Sequence, residues 1–429
     1  MNRRVCGIVL VMMVLALPLP TSIGVAEMET ILPIELSGEI DGAAYRIHVP
    51  KRWNGTLLVY AHGYSPWPIT DPDLTLLIGE LEELLLEKGY ALAASGFRGA
   101  GQTTAEGVED SEALVRFFEE NVAAPDRVIL YGVSMGGQVA LKSIEVYPDR
   151  YDGTIPMCAV PKATRESDLM LDWAVAYNAA FGWDAAWGEI GKVRTDIDFR
   201  MLWLNHVLPK VQSELFDEHG AYINQTEWEF IRRVTGTSRG GFYAPESPLM
   251  PAPTVLLNNF FATGGIAEIQ IRTGGTVQQN VGRVYSLSPR DARELSAMEL
   301  DVDALLASMN AKTNIEADPD ARQALATLGD TTGVISTPVL LAHNLEDSTT
   351  PVAETLTYQA MVNAAGAGEW LVRVYTDLPG HCHFTDQQVV TLFEAMEAWL
   401  DTGVRPNPLT LPGFVPFHVT HLPLAIRGE

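Results

Sequence analysis

Short apolar runs alternate with helical patterns through the first third of this 429-residue chain. Runs rich in β-branched and aromatic residues predict strands, and stretches with helical periodicity predict helices. The predicted strands span residues 45–49, 56–60, 90–94, 128–131 and 153–158, and the predicted helices span 74–88, 108–120 and 138–147. Such alternation predicts an α/β fold with a mostly parallel central sheet and helices on both faces.

The alternation stops at Pro161 and resumes at Thr337. The segment between them is rich in tryptophan, helical in pattern at first, and richer in Gly, Pro and Asn later. The resumed elements are strands at 337–343 and 370–375 and helices at 352–364 and 386–400, followed by a Pro-rich tail from Gly403 that we expect along the surface. The two flanks need each other to complete one sheet. We therefore predict a core of residues 27–160 and 337–429, with residues 161–336 inserted as a large, mainly helical cap before the strand at 337–343.

The first 26 residues have the pattern of a secretory signal peptide. Arg3 and Arg4 precede an apolar run from Val5 to Leu17, and the small residues that end at Ala26 form a cleavage site. The apolar run is shorter than the roughly 20 residues that a membrane-spanning helix needs. We expect a cleaved, secreted or periplasmic protein without a membrane span in the mature chain, with an uncleaved N-terminal anchor as the alternative.

The chain is strongly acidic, with 29 Lys and Arg against 54 Asp and Glu. Cleavage after Ala26 removes two arginines and no acid, which leaves 27 basic residues against 54 acidic ones and a net charge of −27. This charge makes nucleic acid an unsuitable partner and favours solubility. It does not indicate an oligomeric state.

Cys158 and Cys382 are the two cysteines that remain once Cys6 leaves with the signal peptide. An even pair in an oxidising compartment can form a disulfide. The alternative is two buried thiols that act as small apolar side chains. The sequence fixes no distance between them and leaves both interpretations open.

"GVSMGG", residues 132–137, follows the predicted strand 128–131 and precedes the predicted helix 138–147. A nucleophilic serine in a strand-to-helix turn needs glycines around it, because the turn is too tight for side chains and the serine itself has strained backbone angles. This context makes Ser134 the candidate nucleophile.

"GTSRG", residues 236–240, matches the same G-x-S-x-G pattern. It follows a helical stretch, residues 227–234, and no helix comes after it. Since the motif is informative only between a strand and a helix, we interpret Ser238 as part of a glycine-rich turn in the predicted cap.

A serine hydroxyl needs a base to remove its proton, and the base needs an acid to orient it. Both types of residue follow predicted strands downstream of Ser134. "LEDSTTP", residues 345–351, comes after the strand at 337–343, and "GHCHF", residues 380–384, comes after the strand at 370–375. The chain order is therefore serine, acid, histidine.

These segments together resemble those of α/β-hydrolases, over nearly all of the mature sequence outside the predicted cap. "YAHGY" (60–64) is similar to the family's oxyanion loop and "FRGAG" (97–101) to its arginine–glycine loop. More narrowly, "VPKRWNGTLLVYAHGY", "PMCAV" and "GHCHFT" resemble a group of secreted serine hydrolases of this superfamily. The resemblance implies the fold and does not imply a substrate.

The resemblance implies a role for each site residue. Ser134 is the expected nucleophile, His381 the base and then the acid, and Asp347 the residue that orients His381. The backbone N–H groups of Met135 and Tyr64 are the expected oxyanion hole. Losing one such donor typically costs about 100- to 1000-fold in rate.

Several neighbouring residues offer alternatives. Glu346 could replace Asp347 as the orienting acid, and His383 could replace His381. The H-x-H pair His381 and His383 could bind a metal, although the sequence shows no third or fourth ligand nearby. His62 is expected to support the oxyanion loop. Arg98 is expected to fix its own loop by hydrogen bonds, with contact to a carboxylate of the substrate as the alternative.

The leading functional hypothesis is a secreted serine hydrolase that cleaves carboxylic esters, small or polymeric, through an acyl-enzyme without a cofactor or metal. A serine peptidase or amidase of the same fold is the second hypothesis. A non-catalytic binding protein is the third, because a fold alone does not imply activity. The tryptophans of the predicted cap either line a cleft for an apolar acyl group or simply pack its core.

Overall fold

The computed structural model describes residues 33–71, 80–238 and 253–418. The predicted signal peptide, residues 1–26, lies outside the described residues. Residues 74–79 of the predicted helix 74–88 and residues 419–429 of the tail also lie outside them. In the described part, no helix combines the length and apolar character needed to cross a membrane.

Eight strands form the central sheet, in the order β1-β2-β4-β3-β5-β6-β9-β10. Their bounds are β1 Ile34–Ile40, β2 Ala43–Val49, β3 Thr56–Ala61, β4 Ala91–Ser95, β5 Arg127–Val133, β6 Gly153–Met157, β9 Val339–Asn344 and β10 Leu371–Thr376. β2 pairs antiparallel with both β1 and β4, and every other pair is parallel. A separate hairpin joins β7 Gly188–Glu189 to β8 Lys192–Val193.

Five helices cover the two faces of the sheet: α1 Glu80–Glu87, α2 Thr104–Asn121, α3 Met135–Val146, α13 Ala353–Ala364 and α14 Asp386–Thr402. Side chains alternate across β3, so that Leu57 and Val59 pack in the core under α2, α3 and α13, whereas Leu58 and Tyr60 pack under α1 and α14. The strand is buried on both sides, as a central strand of a parallel sheet should be. The mostly parallel sheet with helices on both faces, predicted as an α/β-hydrolase fold, is confirmed.

The edge strand β1 is absent from the elements predicted above. Its sequence, IELSGEI, alternates apolar and polar residues, and its exposure alternates in the same way. Only one face of this strand is covered. Its sequence therefore lacks the continuous apolar run that predicts a central strand.

The described part of residues 158–338, between β6 and β9, is mainly helical, and we call it the helical insertion. Its helices are α4 Ala163–Phe181, α5 Phe199–Leu202, α6 Leu208–Leu215, α7 Gln225–Val234, α8 Thr254–Phe260, α9 Ile266–Thr273, α10 Pro289–Ser296, α11 Val302–Asn310 and α12 Pro319–Gly329. They enclose an apolar core of their own. The core and the insertion belong to one compact unit.

Polar contacts attach the helical insertion to the loops of the sheet. Glu268 on α9 accepts a hydrogen bond from the backbone N–H of Gln102 at 3.1 Å. Arg272 on the same helix forms an ion pair with Glu106 on α2. Thr254 on α8 is hydrogen-bonded to Ser348 at 2.8 Å. The insertion is therefore attached close to the carboxyl ends of the strands, where the predicted site residues lie.

Candidate active site

Ser134 lies between the last residue of β5 and the first residue of α3. Its backbone angles, φ 56° and ψ −121°, are strained for a residue with a side chain. A Cβ on Gly132 would overlap the carbonyl group of Gly136, and a Cβ on Gly136 would overlap the carbonyl oxygen of Ala61. The glycines are therefore a steric requirement of a turn that presents the serine at the end of the sheet.

Ser134, His381 and Asp347 form a continuous chain of hydrogen bonds. Nδ1 of His381 lies 2.8 and 3.0 Å from the two carboxylate oxygens of Asp347, so Nδ1 carries the proton and donates it. Nε2 is then the acceptor for the Ser134 hydroxyl, at 2.9 Å. This arrangement can remove a proton from the serine as its oxygen attacks a carbonyl carbon.

Two backbone N–H groups hold the carboxylate of Asp347. Thr349 and Thr350 donate to its Oδ1 at 2.9 and 2.7 Å, and its side chain is fully buried. The Nε2 of His343 lies 3.9 Å from the Oδ2 of Asp347 and 3.0 Å from the carbonyl oxygen of Thr350. Burial lowers the pKa of His343, which favours a neutral ring beside the carboxylate.

The alternative acid and histidine do not join this chain of hydrogen bonds. Glu346 is exposed to solvent. His383 lies with its Nδ1 3.0 Å from the carbonyl oxygen of Pro379. Both ring nitrogens of His381 are engaged by Asp347 and Ser134, which leaves that histidine without a free nitrogen for an H-x-H metal site.

Both residues predicted to supply the oxyanion donors, Met135 and Tyr64, line a small cavity beside Ser134. Met135 begins α3, and the first N–H groups of a helix have no partner within the helix. Tyr64 belongs to the loop after β3, in which a Cβ on Gly63 would lie 3.6 Å from the Cβ of Ser134. His62 supports this loop, because its ring stacks on Phe97 at 4.1 Å and its Nδ1 lies 2.6 Å from the carbonyl oxygen of Gly63.

Arg98 fixes the neighbouring loop. Its Nε lies 2.6 Å from the carboxylate of Asp110, and its backbone N–H donates to the same carboxylate at 2.7 Å. A second ion pair joins the guanidinium to Glu109 at 2.5 Å. These contacts agree with the expectation that Arg98 fixes its own loop.

A disulfide joins Cys158 to Cys382, with 5.5 Å between their Cα atoms. Cys158 directly follows β6, and its N–H donates to Ala342 on β9. Cys382 directly follows His381, and its sulfur lies 3.5 Å from the Nε2 of that histidine. The disulfide therefore ties the histidine loop to the central sheet. The two sulfur atoms and a ring nitrogen of His381 lie within 4.8 Å of one another, a spacing that would suit a metal ion. Because the sulfur atoms are bonded to each other, neither is a thiolate that could bind a metal.

A cleft of about 710 Å³ opens over Ser134 and His381. Its walls are largely apolar, and the helical insertion supplies the side chains of Leu204, Leu208, Leu256, Leu257, Phe260 and Phe261. Arg200 also lines the cleft. Its guanidinium donates to the carboxylate of Asp198 at 2.9 Å and lies over the ring of Trp67, 4.7 Å from the ring centroid. The volume falls within the range of small-molecule sites, about 300–1,000 Å³.

Two π-helical turns, Trp203–Val207 and Phe261–Gly265, contribute residues to this cleft. Such turns are rare and frequently occur at functional sites. This wall was not predicted from the sequence, although the apolar pairs Leu256-Leu257 and Phe260-Phe261, which flank two asparagines, are a visible signal.

Most tryptophans of the insertion pack its own core. Trp173, Trp187 and Trp228 are at most 2% exposed and belong to the insertion's apolar cluster. Trp203 is the tryptophan of the insertion that lines the described cleft. The insertion thus supplies two phenylalanines and one tryptophan to the aromatic lining.

The second G-x-S-x-G pattern lies outside the site. α7 ends at Val234, and Ser238 follows in a turn. Its hydroxyl is buried without a hydrogen-bond partner among the described residues. Residues 239 and 240 of the pattern lie outside the described part of the chain.

No protein-family model matches the chain. Over 420 residues the chain is 24% identical to an o-phthalyl amidase from Xanthobacter agilis, with 86% of this chain and 87% of the amidase covered. Among solved structures it is similar to feruloyl esterase B from Aspergillus oryzae, at 16% identity and a TM-score of 0.44 over 86% of this chain and 80% of the esterase. It is also similar to the acylaminoacyl peptidase of Pyrococcus horikoshii, at 12% identity and a TM-score of 0.42 over 87% of this chain and 42% of the peptidase.

Proposed function

We propose that this chain, which has the α/β-hydrolase fold, is a serine hydrolase that cleaves carboxylic esters through an acyl-enzyme. The observation that carries the proposal is the hydrogen-bond chain from Ser134 through His381 to Asp347, located at a strained strand-to-helix turn beneath an apolar cleft. Strain and buried polar groups concentrated at one concave site are typical of catalytic centres.

Acylation begins when the Ser134 oxygen attacks the ester carbonyl carbon and His381 Nε2 takes the hydroxyl proton. The carbonyl oxygen becomes an oxyanion, and the N–H groups of Met135 and Tyr64 are the donors proposed to stabilise it. Asp347 stabilises the imidazolium without taking its proton. The tetrahedral intermediate then collapses, and His381 delivers the proton to the leaving alcohol.

Deacylation repeats these steps with water as the nucleophile. His381 removes a proton from water, the water oxygen bonds to the acyl carbon, and the bond from that carbon to Ser134 breaks as His381 returns the proton to the serine. The products are a carboxylic acid and the free enzyme. The proposed chemistry uses side chains and backbone groups of this chain at every step.

The cleft supports an uncharged, apolar acyl group as the substrate part next to Ser134. Asp198 already pairs with the guanidinium of Arg200, and burial raises the pKa of Tyr60 and favours its neutral form. We propose that the helical insertion serves as a cap, because its side chains form one wall of the cleft. We propose that the substrate is a small ester or the end of a polymeric ester.

We expect the rate of hydrolysis of p-nitrophenyl esters to rise with acyl length from acetate to butyrate. Each buried methylene contributes about 0.8 kcal/mol, so two methylenes predict an increase in kcat/KM of about tenfold. Steady-state release of p-nitrophenol across a series up to decanoate measures this. A preference for acetate over butyrate would contradict the assignment of the 710 Å³ cleft to the acyl group.

An amidase is the second candidate function, and the observation that favours it is the similarity to the o-phthalyl amidase over 86% of this chain. A p-nitrophenyl ester and a p-nitroanilide with the same acyl group distinguish the two candidates. An esterase is expected to favour the ester by more than about 100-fold in kcat/KM, since an anilide is the less reactive acyl compound. Comparable values for the two substrates would favour the amidase.

We also propose that the protein is exported. The support is the signal-peptide pattern of residues 1–26 together with the disulfide between Cys158 and Cys382, because disulfides persist in oxidising compartments. N-terminal sequencing of the mature protein tests this, and an N-terminus at Glu27 is the expected result.

A further inference from the structure

A second, smaller cavity lies beside Ser134 and shares Tyr64, Ser134 and Phe261 with the lining of the acyl cleft. Its volume is about 30 Å³, and Ser134, Met135, Tyr64, Glu166 and Thr349 are among the residues that line it. A polar cavity larger than about 10–15 Å³ can hold a water molecule. The cavity is therefore large enough for one or two waters and too small for a substrate chain.

Three of the lining residues carry polar groups that are not satisfied by the rest of the described chain. The hydroxyls of Tyr64 and Thr349 are buried and lack hydrogen-bond partners there. The carboxylate of Glu166 forms no hydrogen bond or ion pair within the described residues, since the adjacent Arg165 pairs with Glu354 instead, at 2.7 Å. Buried polar groups are normally hydrogen-bonded to protein or to ordered water.

Glu166 is electrostatically coupled to the triad. Burial raises its pKa to about 7, the positive charge of His381 acts in the opposite direction, and Glu354 adds to the rise. Both residues adjoin the nucleophile, because Glu166 lines the cavity beside Ser134 and the Nε2 of His381 lies 2.9 Å from the Ser134 hydroxyl oxygen.

A purely structural role does not account for Glu166. The residue lies in the first turn of α4, where an acidic side chain favours the helix dipole. However, its carboxyl group shares the cavity with the apolar side chains of Met170, Ile266 and Ile269. No described residue donates a hydrogen bond to this carboxyl group, so we expect a water molecule in the cavity to be its partner.

We propose that Glu166 is a positioning residue for deacylation: with Tyr64 and Thr349 it holds the water molecule that attacks the acyl-enzyme on Ser134. The inference rests on the proposed function. One hydrogen of the water is donated to Glu166, and the other passes to His381 Nε2 as the water oxygen bonds to the acyl carbon. The bond from that carbon to Ser134 then breaks, and the proton on His381 moves to the serine oxygen.

The test separates the two halves of the reaction with p-nitrophenyl N,N-dimethylcarbamate. Release of p-nitrophenol measures carbamoylation of Ser134, and recovery of esterase activity after removal of excess reagent measures attack by water. Glu166→Gln is expected to slow recovery by about tenfold, the effect of weakening one hydrogen bond to a charged group, and to leave carbamoylation within about twofold of the wild-type rate.

Asp172→Asn is the matched control. Asp172 is on the same helix and burial likewise raises its pKa, to about 6, but its partners are Arg283 and Tyr285 and it does not line the cavity. We expect this variant to leave both half-reactions unchanged. Thr349→Val removes a second polar group from the cavity and should also slow recovery without slowing carbamoylation. This variant provides the test if Glu166→Gln does not fold.

Equal slowing of both half-reactions in Glu166→Gln would indicate a structural role and overturn the inference. Slower carbamoylation with normal recovery would instead assign the cavity to a hydrogen-bond donor of the substrate, and it too would overturn the inference. Failure of the wild-type protein to react with the carbamate or to hydrolyse any ester is a different result, because it would contradict the proposed function itself.

Discussion

Replacing Ser134 by alanine is expected to lower kcat/KM for p-nitrophenyl butyrate by about 10⁴- to 10⁶-fold. The substitution removes the oxygen that is proposed to form the acyl-enzyme and leaves the proposed oxyanion donors and the cleft in place. Alanine adds no atoms to the tight turn between β5 and α3, so the melting temperature should stay within a few degrees of the wild-type value. Initial rates of p-nitrophenol release and a thermal unfolding curve measure the two expectations.

Ser238→Ala is the matched control for this prediction. Ser238 stands in the same G-x-S-x-G pattern, follows the end of α7, and is not among the residues that line the cleft or the small cavity. A fluorophosphonate probe should label the wild-type protein and the Ser238 variant equally and should not label Ser134→Ala. Labelling of the Ser134 variant would show that the nucleophile has been misassigned. Absence of labelling in the wild-type protein would favour a non-catalytic binding protein.

The candidate triad could be predicted from the sequence because each member is linked to a local signal. The elbow glycines around Ser134 are required by sterics, and Asp347 and His381 lie in the loops that follow the apolar strands β9 and β10. Parallel strands bring their carboxyl ends to one edge of a sheet, which places residues far apart in the chain at one site. The choice of His381 over His383 came from family resemblance, and the structure places the former beside Ser134.

The cleft and the small cavity could not be predicted in the same way. They depend on how α8 and α9 pack against the loop that carries Tyr64, and such packing between distant segments has no periodic signature. Glu166 is one of 54 acidic residues, and its sequence position resembles an ordinary acid in the first turn of a helix. Only its place in the cavity beside Ser134, without a hydrogen bond from the described residues, distinguishes it.

Replacing both Cys158 and Cys382 by alanine is expected to lower the free energy of unfolding by about 2–5 kcal/mol. The disulfide closes a loop with a sequence separation of 224 residues, and closing a long loop restricts the unfolded chain strongly. We also expect kcat to fall more than KM changes, because Cys382 adjoins His381 and its loss frees the histidine loop on one side. Urea-induced unfolding and steady-state ester hydrolysis measure the two effects.

Hydrogen bonds to Asn344 limit this loss of activity. Its side-chain amide donates to the carbonyl oxygens of Leu378 and His383 at 3.0 and 2.6 Å, so the histidine loop stays attached to β9 without the disulfide. The double variant should therefore retain measurable turnover, whereas adding Asn344→Ala should remove most of it. Reductant provides the control, since it should lower the stability of the wild-type protein to that of the double variant and leave the variant unchanged. A double variant as stable and as active as the wild-type protein would show that the disulfide does not hold His381 in place.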